Sequence, residues 1–484
     1  MRTVAEVLRW RARRHPEGAA TWFEGRTRTF GELDASSSEL AAGLAAKFGI
    51  GPGDRLAILD RNSDAYLELI LAAAKLGAVM VPINWRLQAP EVAQIVADAE
   101  PRLLVAGDGL AAGLAGLPCT VAGFGELPRG GTDPRGDQEP DVAWQLYTSG
   151  TTGLPKGAML GHRNLFAMMQ SLSLELPELV EGSRSLVTAP LYHIGGCGWA
   201  LIALAHGATV VLVREIVPDQ LLDVMTRQQV ATGLIVPAVL QSLTRLPGVG
   251  DADFGALGNL AYGASPISQT LLEDCIRVFG CRLTQLYGLT ETTGAVTALR
   301  HEDHAGERLL SCGRAMLGGE VKIEDGEILY RGPSLMQGYA GRPEDTALAV
   351  RDGWFHTGDA GTMDADGFVY IRDRIKDMIV SGGENVYPAE LEGVLAGHPA
   401  IADAAVIGVP DPRWGETVKA VVVLRPGARL TETELIEWCR SRVAGYKRPR
   451  SVDFVELIPR NPSGKILKRQ LREPYWAGVL RRVN

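Results

Sequence analysis

The sequence contains no Cys-x-x-Cys pair and no cysteine spacing typical of a metal site. Its six cysteines (119, 197, 275, 281, 312 and 439) are scattered along the chain. That excludes a disulfide framework or a zinc-stapled domain and reads as reduced, mostly buried thiols of a cytoplasmic protein. Long apolar runs are missing as well. The longest, "GWALIALAHGATVVLV", is broken by His206 and Gly207 and is too short to span a bilayer. It reads as a buried helix followed by a buried strand. The opening "MRTVAEVLRWRARRHPE" lacks an apolar signal core and predicts an amphipathic surface helix rather than a secretory leader. A basic excess is absent too: 49 Lys and Arg stand against 57 Asp and Glu, a net charge of -8. This argues against a general nucleic-acid binder.

What is present fits a globular protein of more than one domain. At 484 residues the chain is too long for one ordinary core. Strand and helix patterns alternate through the first two thirds. "ATVVLV", "ATGLIV", "NLAYG" and "CRLTQLYG" read as strands. "PDQLLDVMTRQQV" and "SQTLLEDCIRVFG" read as helices, the second with Ser268 as N-cap and Gly280 as its stop. This rhythm predicts parallel sheets with helices on their faces. From about 311 to 375 helix patterns vanish and alternating stretches such as "EVKIEDGEILYRG" predict a small β-rich subdomain. After 376 a fresh apolar pattern begins, with helices at "PAELEGVLAGHP" and "TETELIEWCRSRV", strands at "ADAAVIGVP", "TVKAVVVLRP" and "RSVDFVELIP". The expected class is α/β: an N-terminal domain over 1–375 of parallel-rich α/β subdomains plus the β-rich piece, then a small, mobile α+β domain over 376–484.

Chemistry concentrates in four segments. "YTSGTTGLPKGAML" (147–160) holds seven Gly, Ser or Thr among fourteen residues, with one Lys. Backbone N–H groups in such a loop form anion nests, hydroxyls add donors, and Lys156 adds a point charge. A Walker loop needs Gly-Lys-Ser/Thr; here Pro155 precedes Lys156 and Gly157 follows it, which disfavours that class. A merely flexible loop stays open as the plain alternative. In "QLYGLTETTG" (285–294) Glu291 is either an ordinary surface carboxylate or a group able to hold Mg²⁺ beside phosphate. "WFHTGD" (354–359) ends in Asp359, a turn residue or a partner for a ribose diol. "PSGKILKRQL" places Lys465 at the edge of a helix. Around it, from Arg440 to Pro474, ten Lys or Arg face only three Asp or Glu, which points to an anionic ligand or to a solvated basic surface.

In combination the segments are specific. The order "YTSGTTGLPKG", "PLYHIGG", "YGASP", "QLYGLTE", "WFHTGD", "DRIKDMIVSGGENVYPAELE", "GYKRPR", "NPSGKILKRQL" resembles the adenylate-forming superfamily over nearly the whole chain. Within it, the sequence is similar to bacterial fatty-acyl-CoA ligases and aryl-CoA ligases. The resemblance implies ATP, Mg²⁺ and coenzyme A, and a hydrophobic carboxylic acid that is first adenylated and then transferred to a thiol. It implies that Thr148, Ser149, Gly150, Thr151, Thr152, Gly153 and Lys156 hold the β- and γ-phosphates. Tyr287 and Gly288 with Gly263 and Ala264 would frame adenine. Thr290 would touch the α-phosphate, Glu291 would help place Mg²⁺, and Asp359 and Arg374 would take the ribose. Lys465 would bridge the substrate carboxylate and the α-phosphate.

The resemblance further implies a rotating C-terminal domain with its pivot at Lys376. Rotation would bring Gly382 and Gly383 to the thiol, with Tyr446, Arg448 and Arg450 over the CoA nucleotide. His193 would lie beside the acyl carboxylate and gate a pocket drawn from Ile194, Trp199, Val239, Leu240 and Leu289. No Lys or Arg is expected there, which disfavours a second carboxylate on the substrate. One departure matters: Tyr262 precedes Gly263 where the family usually has Gly or Ser; a fused carrier domain is not expected. An aryl-acid substrate, a carrier protein in place of CoA, a non-catalytic sensor, and a homodimeric state stay open.

Overall fold

The computed structural model describes residues 3–131, 142–148, 155–265, 267–381, 384–411, 413–440, 442–460 and 466–477, with the side chains of Lys376 and Asn385 excepted. Two mixed sheets dominate the first part of the chain. In a nine-stranded sheet, Arg282–Leu289, Asn259–Gly263, Thr232–Leu234, Arg184–Val187, Thr209–Leu212 and Ala19–Phe23 run parallel. In a seven-stranded sheet, Val142–Thr148, Val79–Ile83, Arg55–Leu59, Leu103–Ala106 and Thr120–Gly123 run parallel. The α/β class expected from the alternating pattern is what the chain adopts.

The core explains why these elements form. The helix Ile194–His206 is apolar on every side, and it is buried from Gly196 to Leu204. It ends at Gly207, whose φ of 74° is the left-handed value that stops a helix. Helices Phe30–Phe48 and Asp64–Leu76 start on Thr29 and Ser63 caps and pack Leu33, Leu40, Leu44, Tyr66 and Leu69 into the same core. The opening helix, Val4–Arg14, buries Val4, Val7 and Leu8 and ends in Arg13 and Arg14, as its amphipathic pattern predicts. Among the described residues no helix is long and apolar enough to cross a membrane.

One expectation needs correction. The stretch 311–375 is β-rich, with strands Glu320–Glu324, Glu327–Arg331, Trp354–Met363 and Val369–Arg374, but it also holds a helix, Pro343–Ala349. Its signal is not periodicity, since no residue of it is buried. Pro343 at the start and Glu344 and Asp345 in the first turn favour it instead.

The packing divides the chain into two compact units. One takes Met1–Ala264, Leu271–Val321 and Tyr330–Phe355; the other takes Ser265–Thr270, Lys322–Leu329 and His356–Asn484. In the second unit, Gly415–Leu424 lies between Ile401–Asp411, antiparallel, and Ser451–Phe454, parallel. Helices Pro388–Ala396 and Glu432–Arg440 contribute Leu391, Leu395, Leu435 and Cys439 to its core. Thr431 opens the second helix: its hydroxyl accepts from Glu434 N, and its own N–H donates to the Glu434 carboxylate at 2.8 Å.

A buried ion cluster ties the first unit together. Glu68 is 3 % exposed. Arg129 donates to both its oxygens at 2.8 and 3.1 Å, and Arg28 donates to Oε2 at 3.2 Å. The segment bearing Arg129 runs against the helix Phe30–Phe48: Gly130 N donates to Glu39 O, and a Cβ on Gly43 would sit 2.3 Å from Pro128 O. Burial alone would raise the Glu68 carboxyl. The Arg129 hydrogen bond and the Arg28 charge outweigh it and bring it from 4.5 down to about 2. A depressed carboxylate stabilises the fold above its unfolded value, and that contribution fades as pH falls from about 4.5 toward 2. Glu68→Gln should therefore cost about 3 kcal/mol at neutral pH and roughly half that at pH 3. Urea unfolding of both proteins at the two pH values checks this; a pH-independent difference would refute the ionic origin.

Candidate active site

The phosphate-type segment sits at the mouth of a hairpin. The strand Lys156–Gly161 returns antiparallel to Val142–Thr148, and Thr148 and Lys156 are cross-strand partners. The two ends of the Gly/Ser/Thr connection are thus fixed side by side. Ser149, Gly150, Thr151, Thr152 and Gly153 lie outside the described residues. A short third strand, Gly338–Tyr339, pairs with the returning one, Tyr339 opposite Ala158. Ala340 N extends that pairing to Gly157 O at 2.8 Å.

Glu291 joins this hairpin from the other sheet. It lies in the 3₁₀ turn Thr290–Thr292 that follows the strand Arg282–Leu289. The "TETT" sequence makes that turn rigid. Thr292 Oγ1 accepts from Leu289 N at 2.9 Å, and Thr293 Oγ1 donates to Ser334 O at 2.6 Å. Met336 N donates to Glu291 O at 2.7 Å. Glu291 is 8 % exposed, and its Oε1 accepts from Thr148 Oγ1 at 3.2 Å and from Tyr339 Oη at 2.9 Å. Burial and the Glu291 charge raise the Tyr339 hydroxyl well above its usual value, so it stays a donor. Lys156 Nζ stands 5.3 Å from the centre of the Tyr339 ring and 2.5 Å from Asp345 Oδ1. Glu291, distant in sequence, therefore meets Thr148 and Lys156 here.

The aromatic segment is built by close backbone approach. Gly263 pairs with Leu286 on the neighbouring strand, and a Cβ there would lie 2.2 Å from Leu286 O. Ala264 follows with φ of 65°, a left-handed conformation rare outside glycine. Tyr262, which departs from the family pattern, is fully buried, its hydroxyl 2.9 Å from His304 Nε2. Tyr287 and Gly288 are half-buried on the strand leading to Glu291.

His193 caps the buried helix Ile194–His206. Burial, and next the Arg86 charge, lower its imidazole to about 4, so it is neutral near pH 7. Its Nε2 is a buried atom without a hydrogen-bond partner among the described residues. Ile194 and Leu289 are half-buried against the core, Val239 is half-buried, and Trp199 and Leu240 are buried. Trp199 spends its N–H on Ser185 at 2.9 Å. The cation Arg86 stands near the His193 segment. It reaches the Tyr192 hydroxyl at 3.4 Å and stacks on Trp85 at 4.1 Å.

The second unit holds the remaining candidates. Asp359 and Arg374 are cross-strand partners, Nε to Oδ1 at 2.7 Å, and Asp359 is 4 % exposed. Arg374 also donates to Thr357 O at 3.1 Å. Tyr446 is exposed on the 3₁₀ turn Gly445–Lys447, Arg448 is half-buried and Arg450 exposed. The neighbouring Lys447 is committed to Glu390 at 2.7 Å. Lys465, Gly382 and Gly383 lie outside the described residues, as does the Lys376 side chain. Sequence reasoning missed Tyr339, Asp345 and Arg86. Tyr339 and Asp345 sit in "GYAGRPEDT", a polar stretch with no period to announce it.

Comparison with known proteins adds the family. The profile of the AMP-binding enzymes matches residues 8–340, and that of the AMP-binding enzyme C-terminal domain matches residues 390–465. The fatty acid–[acyl-carrier-protein] ligase of Streptomyces coeruleorubidus is 41% identical, over 100% of this chain and 98% of its own. The feruloyl-CoA synthase of an Amycolatopsis species is 40% identical, over 96% of this chain and 97% of its own. The solved structure of o-succinylbenzoate coenzyme A synthetase from Bacillus subtilis, in complex with ATP and magnesium ion, superposes with a TM-score of 0.87. It is 33% identical and covers 96% of this chain and 98% of that one. Motif order, sheet topology and these matches agree: the chain belongs to the AMP-binding enzyme family, as an adenylate-forming acid–thiol ligase.

Proposed function

We propose that the protein activates a hydrophobic monocarboxylic acid with ATP and transfers the acyl group to coenzyme A. The observation that carries this reading is the meeting of Thr148, Lys156 and Glu291 at the two ends of the Gly/Ser/Thr connection. One cation and one carboxylate at a loop rich in N–H and hydroxyl donors suit a magnesium–polyphosphate. Among the described residues no cluster of three or more potential metal ligands exists. A single carboxylate such as Glu291 fits Mg²⁺ that arrives with the nucleotide and keeps water and phosphate oxygens as its other ligands. The metal supplies charge neutralisation.

In the first half-reaction a substrate carboxylate oxygen attacks the α-phosphorus, and the bond to pyrophosphate breaks. Two anions must approach, so Lys156, Lys465, Thr290 and the loop N–H groups lower the barrier by meeting charge as it builds. Tyr287, Gly288, Gly263 and Ala264 frame adenine, and the Asp359–Arg374 pair receives the ribose hydroxyls. In the second, the thiol sulfur attacks the acyl carbon, its proton leaves, and the bond to AMP breaks. We assign the pivot between the two to Lys376, with residues 376–484 as the moving part. Gly382 and Gly383 then let the thiol arm approach the backbone. Tyr446, Arg448 and Arg450 receive the CoA nucleotide. Neutral His193 and the apolar Ile194, Val239 and Leu289, over buried Trp199 and Leu240, favour an aliphatic chain or a ring.

A second reading, transfer to a carrier protein, is favoured by the 41% identity to a ligase of that kind. Pyrophosphate release across a panel of carboxylic acids, with thioester formation followed separately for CoA and for a phosphopantetheinylated carrier protein, decides between them. We expect medium-to-long fatty acids or aryl acids to outpace malonate and succinate, and CoA to be acylated. Efficient turnover of the dicarboxylates would overturn the apolar assignment, and acylation of the carrier alone would overturn the acceptor.

Lys465→Ala should lower acyl-adenylate formation by roughly two to three powers of ten, the size of an electrostatic contact made only in the transition state. Given pre-made acyl-adenylate and CoA, the variant should form acyl-CoA at close to the normal rate. Equal damage to both half-reactions would rule out the rotating-domain cycle.

A further inference from the structure

We infer that Asp345, with Tyr339, positions Lys156 for the nucleotide, an inference that rests on the function proposed above. Asp345 is in the first turn of the helix Pro343–Ala349 and carries no role in that proposal. Its Oδ1 accepts from Lys156 Nζ at 2.5 Å, and its Oδ2 stands 3.8 Å from Arg342 Nη1. Lys156 is 9 % exposed. A lysine side chain has four rotatable bonds and loses about 2 kcal/mol of rotamer entropy when fixed. A carboxylate that holds it beforehand removes that cost from the binding step.

Tyr339 completes the arrangement. Its ring lies under Lys156 at 5.3 Å while its hydroxyl donates to Glu291. One side chain thus sets the distance between the cation and the carboxylate. The backbone supports both partners: Tyr339 N donates to Thr346 Oγ1 at 2.9 Å, one residue beyond Asp345. Arg342 in turn bridges to Asp98 at 3.3 Å, and Asp98 accepts from the Tyr147 hydroxyl at 2.6 Å. Tyr147 directly precedes Thr148. The acid at 345 is therefore tied to both ends of the Gly/Ser/Thr connection, to Lys156 directly and to Tyr147 through Arg342 and Asp98. An ammonium group has three donors, so one bond to Asp345 leaves two for phosphate oxygens.

The alternative physics has the opposite sign. If Asp345 merely competed with phosphate for Lys156, its removal would tighten nucleotide binding by lifting a like-charge repulsion. Calorimetric titration with Mg²⁺–ATP separates the two in a double-mutant cycle of Asp345→Ala and Lys156→Met. We expect Asp345→Ala to weaken Mg²⁺–ATP binding about tenfold, the loss of one charge-assisted hydrogen bond, and Asp345→Asn to weaken it less. In the Lys156→Met background the Asp345 substitutions should have no further effect. Tighter binding by Asp345→Ala, or an equal loss with and without Lys156, would overturn the inference. Asp345→Asn, the closer isostere, decides the matter in the same cycle if the alanine variant fails to fold. The cycle needs no turnover, so it stands apart from the ligase reading. That reading fails if the wild-type protein binds Mg²⁺–ATP but releases no pyrophosphate with any acid. Absence of Mg²⁺–ATP binding by the wild-type protein would overturn both.

Discussion

Backbone pairing at one edge of the seven-stranded sheet is the constraint on which the site depends. The hairpin of Val142–Thr148 and Lys156–Gly161 fixes the ends of the Gly/Ser/Thr connection, and Gly338–Tyr339 lies beside its returning strand. One further main-chain bond, Met336 N to Glu291 O, brings in the turn from the nine-stranded sheet. Side-chain chemistry is thus set by ladder register, and a strand's register is rigid because a one-residue slip turns every side chain to the other face.

Several buried charges in this protein are met by a partner of opposite sign. Glu68 is held by Arg28 and Arg129, Lys75 by Asp34, Asp359 by Arg374 and Lys156 by Asp345. Removing one partner leaves the other desolvated and unpaired, which costs more than the pair contributes. The pairs differ in what surrounds them. Lys75 is enclosed, its amine bound by Asp34 and Ser38 within one helix packing. Lys156 is held by the Tyr339 ring and the Asp345 carboxylate, and it stands at a loop end.

The segment around His193 follows the same logic in apolar form. A neutral imidazole costs less to bury than an imidazolium, which burial strongly disfavours, and the Arg86 charge reinforces this. His193 thus presents a polar but uncharged atom at the start of an apolar helix. Arg86, exposed and stacked on Trp85, keeps its own charge toward solvent while still acting on the imidazole.

The sequence by itself determined the elements and the chemistry they carry. Apolar periodicity, with breaks and stops such as Gly207 and Gly280, placed the helices. Runs such as "NLAYG" placed the strands, because these signals act over a few residues. Motif order likewise pointed to Lys156, Glu291 and Asp359. Contacts between segments distant in the chain left no such local trace. Tyr339, Asp345 and Arg86 lie in stretches with no periodicity, and the short helix Pro343–Ala349 buries nothing that would reveal it. Only the tertiary structure decided that Tyr339 would stand between Lys156 and Glu291. A ladder pair between residues more than a hundred positions apart is fixed by the packing of whole sheets, not by the residues that form it.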